Sequence, residues 1–78
     1  MNRGQRIAYA IAQANQTPAS IARMIGCTSA AVYQWIKGDT KDIKNDYLFA
    51  LADATGFEAR WIAIGKGPET KAAGERER

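Results

Sequence analysis

Residues 28–37, TSAAVYQWIK, hold the side chains whose chemistry is most specific. Val32 and Trp35 are apolar at helical spacing and belong to a core. Around them stand Ser29, Ala30, Tyr33 and Gln34, which fall on the opposite side of a helix. Gln34 can bond bidentately to adenine N6 and N7. Ser29 can donate or accept, and Ala30 can touch a thymine methyl. Tyr33 can reach a phosphate or lie along a backbone. Such a surface could contact the edges of bases. Cations cluster nearby, with Lys37, Lys41 and Lys44 just beyond the helix and Arg6 near the start of the chain. At residues 17–20, TPAS, the Thr17 hydroxyl and the N–H groups of Ala19 and Ser20 would form a helix N-terminus suited to an anion. Thr28 stands at the equivalent place before the next helix.

The composition removes competing chemistries. The chain has 78 residues, no His and one Cys. It therefore has no histidine base, no internal disulfide and no zinc constellation. An enzyme is not expected, and neither is a cofactor. An apolar fraction of 46% fills one small core but not a core and a deep pocket. The formal charge is +3 with a pI of about 9.3. The excess lies in residues 1–67, while residues 68–78 are balanced. No stretch approaches a membrane span or a signal-peptide core, so a cytoplasmic protein is expected.

The elements that must hold these residues are helices. Ile7, Ile11 and Ala14 share a face of a first helix over residues 3–14, with Asn2 as its N-cap. Asn15-Gln16 breaks it. Thr17 caps a second helix over residues 18–25, with Pro18 at the first position, where its missing N–H is harmless. Gly26 turns the chain into a third helix, capped by Thr28 or Ser29 and ended by Gly38. Residues 38–45 are polar and read as a loop. Asn45 would cap a fourth helix over residues 46–55 with Tyr47, Leu48, Leu51 and Ala52 inward. A short fifth helix over residues 58–64 would bury Trp61 and Ile62. Residues 68–78 lack an apolar period and read as a disordered polar tail or linker. Tyr9 fits either the core edge or a dimer surface. Cys27 in the turn fits packing better than redox chemistry.

The second and third helices have the spacing of a helix-turn-helix: Ala22 at the fifth position of the motif, Gly26 at the ninth, Val32 at the fifteenth. Together with NDYLFALADATGF and RWIAIGKGP, the run SIARMIGCTSAAVYQWIKG resembles the DNA-binding domain of lambdoid phage repressors, within the wider XRE/Cro family. The resemblance covers residues 4–68. It implies an all-α, five-helix domain with the helix-turn-helix at 18–37 inside a domain of residues 1–67.

The resemblance also implies function. The third helix would lie in the major groove with Ser29, Ala30, Tyr33 and Gln34 at base edges. Thr17, Ala19, Ser20, Thr28, Lys37, Lys41, Lys44 and Arg6 would frame it on phosphates. The partner would be a double-stranded operator, bound by a homodimer that is weak without DNA and meets through the fifth helix. The role would be that of a transcriptional repressor of phage or prophage type. In relatives, a longer chain often continues into a self-cleaving C-terminal domain; residues 69–78 fit such a linker and a short natural protein equally. The alternative is an antitoxin that binds a toxin and regulates its own operon, although the tail offers only Ala72 and Ala73 for a toxin.

Two positions depart from the pattern. Relatives often begin the second helix with Gln, where this chain has Pro18. They also often pair a buried Arg with a Glu at positions that are Ile11 and Ile36 here, so two apolar residues are expected to pack directly in place of an ion pair.

Overall fold

The computed structural model describes residues 1–38 and 43–77, and of these the side chains only as far as Glu75. The described residues form six helices: α1 (Arg3–Gln13), α2 (Pro18–Ile25), α3 (Ser29–Lys37), α4 (Asn45–Thr55), α5 (Ala59–Ile64) and α6 (Lys71–Glu77). The count corrects the expected five.

Local chemistry sets most of the boundaries. Asn2 Oδ1 accepts from Gln5 N at 2.8 Å while Gln5 Oε1 accepts from Asn2 N at 2.9 Å, a closed capping box. Asn15 takes a positive φ of 57° and ends α1. Thr17 caps α2, and its hydroxyl accepts from Ser20 N at 3.1 Å. Thr28 rather than Ser29 caps α3, accepting from Ala31 N at 3.2 Å. Gly26 sits between α2 and α3 at φ 81°, where any Cβ would be strained. Asn45 does not cap α4 as expected. It is the first helical residue, and Lys44 holds the cap position without a side-chain bond.

The helices close on one core. Ile7, Ile21, Val32, Leu51 and Ile62 are fully buried at its centre. α1 packs on α3 and α5, and α2 packs on α3 and α4. Tyr9 belongs to the core edge: its ring lies 5.9 Å from both Phe57 and Trp61, edge-on to Phe57. Trp35 meets Tyr47 at 5.5 Å and bridges α3 to α4. Ile11 is buried, and Ile36 is half-buried at the rim of the same core. Ile43, from the segment read as a polar loop, is also buried.

The segment after Pro68 departs from expectation. Glu58 N donates to the Glu69 carbonyl at 2.9 Å, and Lys71 N donates to the Gly56 carbonyl at 3.0 Å. These bonds form an isolated antiparallel bridge between Phe57 and Thr70. Lys71 pairs with Asp53, and Gly74 is buried near Glu58 and Pro68. Residues 69–75 are thus docked on the domain rather than trailing as a linker.

Candidate nucleic-acid interface

α3 divides cleanly into two sides. Val32 and Trp35 are buried, with Ala31 and Ile36 half-buried beside them. Ser29, Ala30, Tyr33 and Gln34 are exposed, and Tyr33 keeps 50% of its surface accessible. The core fixes which way the helix turns, so the four candidate base readers share one outward stripe. Gly26 and the close α2–α3 packing then hold that stripe at one edge of the domain.

The N-terminus of α2 is more occupied than the sequence implies. Pro18 has no N–H, Ser20 N is bound by Thr17 Oγ1, and Ile21 N donates to the Thr17 carbonyl at 2.9 Å. Ala19 therefore supplies the backbone donor left over in that turn. The Thr17 and Ser20 hydroxyls lie 3.3 Å apart, within the capping box. Ser20 Oγ also approaches Gln16 Oε1 at 2.7 Å, which orients the Gln16 carboxamide and leaves its NH2 group as a donor at this helix end. In the sequence Gln16 reads only as part of the break after the first helix. Its only signal was a polar residue three positions before a capping-box partner's neighbour, which is weak.

Thr28, Lys37 and Lys44 are exposed around the ends of α3 and the start of α4. Lys41 lies outside the described residues. Arg6 is corrected. It is 8% exposed, and its guanidinium donates to the carbonyls of Ile62, Ala63 and Met1. Those acceptors take the donors a phosphate would need, so Arg6 holds the fold together and leaves the phosphate set. Helix periodicity could not show this, because the carbonyls that bury Arg6 come from the far end of the chain.

The electrostatics favour a polyanion. No Asp or Glu precedes Asp39, so α1, α2 and α3 carry only basic charges. The first turns of α2 and α3 contain no acidic residue to oppose the positive ends of their dipoles. Every carboxylate side chain belongs to residues 39–78. Cys27 is half-buried in the turn, and burial pushes its thiol above the ordinary value, which keeps it protonated near neutral pH. Among the described residues no group of three or more potential ligands could hold a metal. No helix there is long and apolar enough to cross a membrane.

Solved structures share this fold. The P22 c2 repressor protein, solved in complex with a synthetic operator, superposes with a TM-score of 0.77 over 85% of this chain and 98% of that one, at 23% identity. The chain shares the fold of that repressor. The solution structure of the P22 c2 repressor's DNA-binding domain agrees, with a TM-score of 0.71 and 25% identity over 80% of this chain and 84% of that one. In sequence, the domain is 33% identical over 72 residues to an uncharacterized HTH-type transcriptional regulator of Haemophilus influenzae. That alignment takes in 92% of the chain but 29% of the relative, so the domain spans under a third of that protein's length. No family model matches the chain.

Proposed function

We propose that this helix-turn-helix domain is a DNA-binding transcriptional regulator, and that it acts as a sequence-specific repressor of phage or prophage type on operator half-sites. The observation that carries the reading is the exposed stripe Ser29, Ala30, Tyr33 and Gln34, set on a helix that itself contains no carboxylate. α3 enters the major groove, Gln34 pairs with an adenine, Ser29 bonds a neighbouring base and Ala30 meets a thymine methyl. Ala19 N–H, Thr17, Ser20, Thr28, Lys37, Lys41 and Lys44 contact the flanking phosphates and fix the register. Gln16 joins that set through its free NH2 group.

A single domain of this size covers too few base pairs to single out one site in a genome. Two copies on a pseudo-palindrome, with half-sites about one helical turn apart, supply the rest. The α5 end offers the surface for that meeting: Met1 and Ile64 are exposed at 71% and 56%. They border an open cleft of about 350 Å³ together with Trp61, Gly65 and Glu69. The contact is small, so the dimer is weak until DNA holds both copies. Such a regulator works in the cytoplasm, on the bacterial nucleoid.

Selection of bound duplexes from a random pool, at two salt concentrations, tests the reading. Recovery of a two-fold related motif at both is expected. Binding with no motif that vanishes at the higher salt would overturn it, and would turn attention to a protein partner such as a toxin.

A further inference from the structure

The first turn of α1 is gripped from two sides. On one side Gly4 is buried against the end of α3. A Cβ at Gly4 would lie 2.2 Å from the Ile36 carbonyl oxygen and 2.9 Å from that of Trp35. Backbone thus meets backbone, with no side chain between to give way.

On the other side Arg6 reaches the end of α5. Its Nε donates to the Ile62 carbonyl at 2.9 Å and Nη2 to the Ala63 carbonyl at 3.0 Å. Nη1 donates to the Met1 carbonyl at 2.6 Å. Ile62 and Ala63 belong to the last turn of α5, whose carbonyls have no partner further along the helix. A planar fork on two successive carbonyls fixes an angle as well as a distance. Gly65 makes room for it, since a Cβ there would come within 3.1 Å of Nη1.

α1 packs broadly on α3 and on α5, whereas α3 and α5 share at most marginal contact. α1 is therefore the helix that links the two directly, beside a longer route through α2 and α4. We infer that Gly4 and Arg6 are positioning residues: through them the first turn of α1 sets the angle and offset of α3 relative to the α5 surface, and with it the half-site separation that a dimer accepts. Neither residue touches DNA. The inference rests on the operator-binding reading above.

The test compares the wild type with Arg6→Lys, which keeps the charge and length but loses the fork. The probes are the duplex the wild type selects, its single half-site, and versions with one base pair added or removed between half-sites. Arg6→Lys is expected to bind the single half-site within about twofold of the wild type, and to lose about tenfold on the selected full duplex. Its preference among the spacings should broaden or move. Residual dipolar couplings on the free protein should show α3 turned relative to α5. Should Arg6→Lys fail to fold, Gly65→Ala, whose Cβ would press on the end of the Arg6 side chain rather than on backbone, is expected to give the same altered spacing preference.

An unchanged spacing preference in a folded variant would overturn the inference, as would parallel losses on half-site and full duplex. A wild type that selects no motif would defeat the operator reading itself. The dipolar couplings would still decide whether Arg6 sets the angle between the two helices.

Discussion

Gln34 carries a planar amide that offers one acceptor and two donors, the complement of adenine's major-groove edge. Gln34→Ala should therefore cost about 1–3 kcal/mol on the selected site and relax the preference at a single base position. Quantitative binding to single-base variants of the site checks this. Lys44 is a different case, because an ammonium on a phosphate carries no sequence information. Lys44→Ala should weaken binding to every duplex alike and lower the slope of log affinity against log salt by about 0.9. Residue roles were legible where a local rule applies: Asn2, Thr17 and Thr28 each sit one residue before a helix and accept the bonds their types predict. Arg6 was illegible because a lone cation on a helix reads as solvated. Its burial depends on two carbonyls 56 and 57 positions away in sequence.

At the scale of elements, α1 to α5 could be read because each joins a capping residue or glycine stop to an apolar stripe of helical period. α6 has the first kind of signal only faintly and the second not at all. What docks it is backbone pairing at Glu58–Glu69 and Gly56–Lys71, supported by Thr70 Oγ1, which accepts from Ala73 N at 3.0 Å. Backbone bonds leave no trace in side-chain periodicity, so the sequence looks like a linker. The Lys71–Asp53 pair is largely exposed and adds little. Removing residues 69–78 should still cost about 1–2 kcal/mol, from two backbone bonds of about 1 kcal/mol each. For a domain of this size that lowers Tm by roughly 5–10 °C. A thermal melt unchanged by the truncation would show that the segment does not stabilise the domain. The missed start of α4 has a similar origin: Asn45 has a cap's chemistry, but the chain enters the helix one residue earlier.

The molecule as a whole is polarised. Its first three helices are free of carboxylates, and its acidic side chains gather in the later part of the chain. One end suits a polyanion, while the α5 end presents Ile64 and Met1. Separate faces imply separable defects. If two copies meet through α5 as proposed, Ile64→Lys should leave the affinity for a single half-site unchanged while lowering that for the full duplex about tenfold. Parallel titrations of the two duplexes read this directly. An equal loss on both would mean that Ile64 acts on the fold instead.

The two-sided construction of α3 has an evolutionary consequence. Ser29, Ala30, Tyr33 and Gln34 are exposed, whereas the residues that seat the helix, Val32 and Trp35, are buried. Inheritance of the scaffold and inheritance of the address are therefore uncoupled. On the proposed reading, a lineage can rewrite the four outward positions and move to a new operator while the inner ones stay as they are. Transplanting a different quartet should shift the selected motif yet change stability by no more than about 0.5 kcal/mol per site, as surface exchanges do. A graft that melted the domain would show that address and scaffold are written in the same residues after all.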